Sequence, residues 1–247
     1  MTLLAFTYYL NLHSISLILM AFLPSLIWLF YYLRKDDHPE PTIVIMGLFL
    51  AGFLLPFFVG DLERAVQGWV ASYAIAPLSF GFLVSAAFIE ECAKYLVALI
   101  VYYRNREFDE PVDAMIYLIV VALGFAASEN IIITLNTANV DPSQSLVALV
   151  SLRFLGATLL HTLTSGIVGY FIARSHFLNE RFGIIRGLGF ATFFHSVFNF
   201  FVLKIIDKGQ ASQFIPPILL LLIAGSIIVA KDFQRLKKYG TSALTEL

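Results

Sequence analysis

Charge is what this chain has least of. Only 13% of its 247 residues are Asp, Glu, Lys or Arg, against the ~25% of an ordinary soluble domain. No Lys or Arg precedes Arg34, so the basic start of a secretory signal is missing and the first apolar stretch is expected to be retained. Cysteine is nearly absent: Cys92 stands alone, which excludes an intrachain disulfide and leaves the redox compartment unreadable. With a formal net charge of −1, the chain lacks the basic footprint of a nucleic-acid binder, and no nucleic-acid partner is expected. Internal repeats, heptads and low-complexity tracts are missing too, as is the His-Glu-x-x-His helix of many zinc peptidases.

Apolar residues fill the space that charge leaves. They make up 59% of the chain, with a mean hydropathy of +0.83. This predicts an all-α, polytopic transmembrane helix bundle forming a single integral membrane domain over 1–247. Seven spans are expected, at about 13–33, 42–60, 78–103, 112–135, 147–173, 182–203 and 214–230. The interval 61–77 opens with Asp61, Glu63 and Arg64 and turns aromatic around Trp69 and Tyr73. It reads as an interfacial segment or a short extra helix, and an eighth span there is the alternative. Eleven Lys and Arg fall on one side of seven alternating spans, while Arg64, Lys204 and Lys208 fall on the other. The bias places the N-terminus outside and the C-terminus in the cytoplasm.

Against that background a few polar residues stand out. Glu90, Glu91 and Lys94 sit within the apolar run from Leu78 to Tyr103, where each charge costs ~2.5–3.5 kcal/mol on insertion scales. Lys94 can reach either carboxylate, but the two glutamates point ~100° apart around the helix. One is expected to face a cavity and the other to pair with Lys94 or a neighbouring helix. Glu129 and Asn130 follow the small residues Gly124, Ala126 and Ala127, which allow close helix approach. Arg153 and His161 lie two turns apart in span five, and Arg153 could simply snorkel to the interface. His195 and Asn199 share one face of span six. Measured from the outer ends of their spans, Glu90, His161, His195 and Glu129 lie at ~18, ~21, ~12 and ~9 Å. Similar depths predict one polar cavity lined by Glu90, Glu91, Glu129, His161, His195 and Asn199, with Lys94 at its edge.

Taken in order, Glu90-Glu91-x-x-Lys94, Gly124-Phe125-Ala126-x-x-Glu129-Asn130, His161 and His195-x-x-x-Asn199 resemble the motifs of the PrsW family of intramembrane proteases. Asp109-Glu110-Pro111-x-Asp113 and Tyr117 resemble the family too, although Ala114 stands where it often has glycine. The likeness covers about residues 88–200. The related prenyl-protein (CAAX) endopeptidases have a Glu-Glu-x-x-x-Arg pattern, so Lys94, one position earlier, favours the PrsW branch. The resemblance implies a protease of a prokaryotic cell membrane acting on a membrane-anchored protein, such as an anti-sigma factor at its first cut.

The residues themselves leave two mechanisms open. Glu90 or Glu91, its pKa raised in a low-dielectric cavity, could be the general base, with His195 and Asn199 donating to the oxyanion. Alternatively Glu90, Glu129, His161 and His195 could hold Zn²⁺, with Ser165 or Asn130 supporting the histidines. The ammonium of Lys94 opposes a nearby dication, and this favours the glutamate base. Arg153 and Asn130 are supporting residues in either case. A proton-coupled transporter also needs mid-membrane Glu, Lys and His, and an inactive membrane scaffold is the remaining alternative. Neither paired broken helices nor repeat symmetry, which would favour a transporter, is visible in the sequence.

Overall fold

The computed structural model describes residues 12–72, 79–104, 108–140, 153–208 and 211–245. It contains seven α-helices among them: α1 Leu12–Leu33, α2 Thr42–Ser72, α3 Phe80–Arg104, α4 Pro111–Val140, α5 Leu159–Phe177, α6 Gly183–Lys208 and α7 Ala211–Thr245. A π-helical turn, Phe154–Thr158, leads into α5. Six of these helices are long and apolar enough to cross a membrane. The other, α3, is long enough but carries Glu90, Glu91 and Lys94 at its middle. The chain is thus a multi-pass, all-α membrane bundle.

The end of the second span differs from expectation. Residues 61–72 are not a separate helix, because α2 runs unbroken from Thr42 to Ser72. Asp61 and Arg64 pair with each other one turn apart on its exposed side, so the charges there do not break the helix. Residues 73–78, like 147–152 at the expected start of span five, lie outside the described residues.

The core is the pair α4 and α5. Of their membrane windows 78% and 72% are buried, against 17–28% for α1, α2, α6 and α7, so the other helices shield this pair from lipid. From Val112 to Ala127 almost every side chain of α4 is enclosed. It packs on α1, α2 and α5, while α3 bridges α2 and α6. Small residues set the spacing. A Cβ at Gly52 would overlap the Val121 carbonyl, and one at Gly124 would overlap the Phe49 carbonyl, so α2 and α4 cross backbone to backbone. Gly187 lets α6 approach Phe171 and Val168 of α5 in the same manner.

At one end of α4 the loop after α1 is tied down by carboxylates. Asp113 Oδ2 accepts the backbone N–H groups of Asp109 and Glu110 at 3.2 and 2.8 Å, capping the helix start. His38 Nδ1 meets Glu110 Oε1 at 2.5 Å, and Asp36 Oδ1 accepts the His38 N–H at 3.1 Å. This cluster lies ~24 Å along α4 from Glu129, so the Asp109-Glu110-Pro111-x-Asp113 stretch anchors the helix and does not enter the site.

Candidate active site

Four helices and the π turn bring the polar residues to one place. Glu90 and Glu91 come from α3, Glu129 and Asn130 from α4, His161 from α5 and His195 from α6. The ~100° step between adjacent helical residues gives the two glutamates different partners. Glu91 Oε1 accepts from Lys94 Nζ at 2.7 Å, from Thr164 Oγ1 at 3.1 Å and from His195 Nδ1 at 2.8 Å. Glu90 lies 4.0 Å from Lys94 Nζ, and its Oε2 is enclosed without a hydrogen-bond partner.

The histidines are each fixed by a carboxylate. Glu91 takes the Nδ1–H of His195 and leaves Nε2 facing Glu90 Oε2 at 3.9 Å. Glu129 Oε2 takes the Nε2–H of His161 at 3.1 Å and leaves Nδ1 facing the same Glu90 oxygen at 3.9 Å. These tautomers are assigned from the bonding pattern. The two rings meet edge to face with centroids 5.0 Å apart.

Arg153 does not snorkel to the interface. Its guanidinium donates to Glu129 Oε2 at 2.7 Å and to Asn130 Oδ1, and Asn130 Nδ2 donates to Thr158 Oγ1 at 3.0 Å. Eight regular helical steps would leave Arg153 and His161 ~80° apart. The wider π turn between them reduces that offset, so both reach Glu129. With 30% of its side chain exposed, Glu129 is the most open carboxylate of the group, whereas Glu91 is fully enclosed.

Asn199 is half-buried one turn beyond His195, and among the described residues no hydrogen bond ties it to the network. Ser165 Oγ is buried without a partner, so the histidines rest on Glu91 and Glu129, and neither Ser165 nor Asn130 supports them. Two further members were not singled out from the sequence. Thr164 bonds Glu91, and its position one turn after His161 was the available signal. Glu63 of α2 has its carboxyl within hydrogen-bonding reach of Glu90. Its only signal was an acid two turns short of the end of a helix whose length the sequence did not reveal.

A metal ion of the zinc class suits part of this donor set. One oxygen of Glu90 and one nitrogen each of His161 and His195 lie within 4.8 Å of one another, and carboxylate and imidazole are ordinary zinc ligands. The lone oxygen of Glu90 is an enclosed acceptor without a donor, which is costly unless a cation or proton satisfies it. Glu129 is turned towards Arg153 and His161 Nε2 and stands outside the converging three. Lys94 is the competitor: its Nζ lies 3.1 Å from His161 Nδ1 and over the Phe125 ring at 5.0 Å.

The same stretch of chain matches a known family. A family model described as PrsW family intramembrane metalloprotease matches residues 40–229. The protease PrsW of Geobacillus kaustophilus is 32% identical over 194 residues, which cover 76% of this chain and 80% of that protein. The protease PrsW of Clostridioides difficile is 26% identical over 232 residues, covering 92% of each. That of Bacillus subtilis is 26% identical over 159 residues, covering 64% of this chain and 68% of that one. No solved structure matches the chain.

Proposed function

This chain belongs to the PrsW family of intramembrane metalloproteases, and from that premise we propose that Glu90, His161 and His195 form the metal-binding centre at which it cuts a membrane-anchored protein. The observation that carries this reading is the pair of carboxylate–histidine contacts flanking Glu90. Glu91–His195 and Glu129–His161 each fix one imidazole so that its other nitrogen faces the same unpartnered oxygen. Carboxylates that orient ligand histidines in this manner are a recurring feature of zinc sites. A bound Zn²⁺ would supply a Lewis acid for the scissile carbonyl and a water acidic enough to ionise near neutral pH.

The remaining roles fall to the chain's own side chains. Glu63 touches Glu90 and is the carboxylate placed to accept a proton from the attacking water. Arg153 neutralises Glu129 at the open edge of the site, and Asn199 has an amide near His195 to donate to the oxyanion. Lys94 compensates the buried charge of Glu91. The substrate we favour, on the resemblance of the motifs, is a single-span anti-sigma factor in a bacterial cell membrane.

Metal stripping tests the centre. Chelator-treated protein, shown metal-free by elemental analysis, should lose cleavage of a single-span substrate and regain it with one equivalent of Zn²⁺. Glu90→Gln should abolish both cleavage and stoichiometric zinc while keeping the helical circular dichroism. Full activity in verified metal-free protein would return the reaction to a glutamate base acting without metal.

A further inference from the structure

Away from the Glu/His cluster, a cavity of about 570 Å³ opens between α1 and α7 with α5 at its back. None of the site residues lines it, and neither does any acidic side chain. Its character changes along the helices. Leu159, Val229 and, two turns below Lys35 on α1, Trp28 form an apolar interior, while Tyr31, Lys35 and Lys237 lie towards one end. That end is where both helices run out of their apolar stretches, at Leu33 in α1 and just before Lys231 in α7. Lys35 Nζ lies over the Tyr31 ring at 4.7 Å. Lys237 Nζ lies 2.8 Å from Asp37 of the loop after α1. Tyr32 and Phe233, with ring centroids 5.9 Å apart, join the two helices beside it.

Aromatic side chains with basic neighbours at the membrane boundary match the chemistry of a phospholipid headgroup. The apolar interior matches an acyl chain. The volume is that of a small-molecule site, which spans roughly 300–1,000 Å³. A substrate helix does not fit, because a spanning helix is ~10–12 Å wide and ~30 Å long. We propose that this slot binds an anionic phospholipid, its phosphate against Lys35 and Lys237 and one acyl chain along Leu159 and Val229.

Trp28 is a built-in reporter, and Trp69→Phe removes the other tryptophan of the chain. The protein is placed in nanodiscs containing phosphatidylglycerol or phosphatidylcholine with brominated acyl chains, which quench nearby tryptophan. Brominated phosphatidylglycerol should quench Trp28 at a several-fold lower mole fraction than brominated phosphatidylcholine. Removing both charges, Lys35→Gln with Lys237→Gln, should erase that difference. Lys231→Gln with Lys238→Gln, exposed on the same side but outside the slot, should leave it intact. Equal quenching by the two lipids in the Trp69→Phe protein would overturn the proposal. So would an equal loss of preference in the two double variants, which would point to a diffuse surface field.

Discussion

Glu90 and Glu91 are neighbours in the chain and differ in almost every physical respect. Three donors converge on one oxygen of Glu91, whereas the enclosed oxygen of Glu90 has none. Substitution should separate them. Glu91→Gln keeps the shape but removes the charge that balances Lys94 and orients His195. It should weaken zinc binding by ~10–100-fold, the usual loss when a carboxylate behind a ligand histidine is removed. It should also destabilise the fold by ~3–5 kcal/mol, as for other broken buried ion pairs. Zinc titration and thermal unfolding in detergent measure the two effects. Unchanged zinc affinity would remove Glu91 from the histidine's support. The polar identities at this site were legible because each is anomalous in an apolar helix. Glu63 was hidden because an acid near an expected span end is unremarkable, and only the continuation of α2 brings it to Glu90.

At the scale of elements, the crossing of α2 and α4 sets where Glu63 and Glu129 stand. Gly52 and Gly124 permit it, and Gly124→Leu should force the backbones apart. Overpacking of this kind typically costs ~1–3 kcal/mol. The variant should lose thermal stability, and protease activity should fall more than stability alone explains, because Glu129 moves with α4. Activity that survives unchanged would detach the site from this crossing.

The loop between α1 and α2 makes a different prediction. Burial pushes the Asp36 carboxyl above its ordinary value, and Glu110 nearby adds to the shift. Between the ordinary and raised values the folded protein holds a proton that the unfolded chain releases, so stability falls as pH rises through that window. Asp36→Asn keeps an acceptor for the His38 N–H and should raise the melting temperature at neutral pH. It should also flatten the pH dependence just above the ordinary aspartate range. A lower melting temperature at neutral pH would contradict this account.

For the whole molecule, orientation follows from the distribution of basic residues. The eleven-to-three distribution of Lys and Arg places the end that holds Lys35 and Lys237 in the cytoplasm. The Glu/His cluster then lies in the middle to outer half of the bundle. A reporter fused after Leu247 should therefore read as cytoplasmic. An external signal would invert the protein, and with it the leaflet that supplies the proposed phospholipid.

Composition and spacing by themselves determined that the chain is a helical membrane protein. They also picked out the Glu, His and Asn residues, because the bilayer penalises every charge and makes each exception conspicuous. The sequence could not say which glutamate pairs with Lys94, since Lys94 lies within helical reach of both. It could not tell whether Glu129 belongs with the proposed donors Glu90, His161 and His195, because these groups come from separate helices and no local spacing encodes their convergence. It left the role of Arg153 open, since the π turn that aims it at Glu129 alters the rotation that regular helical spacing assumes. Those choices were made by tertiary packing: glycine-mediated helix crossings fixed the distances, and the low dielectric of the core required each buried charge to find a partner.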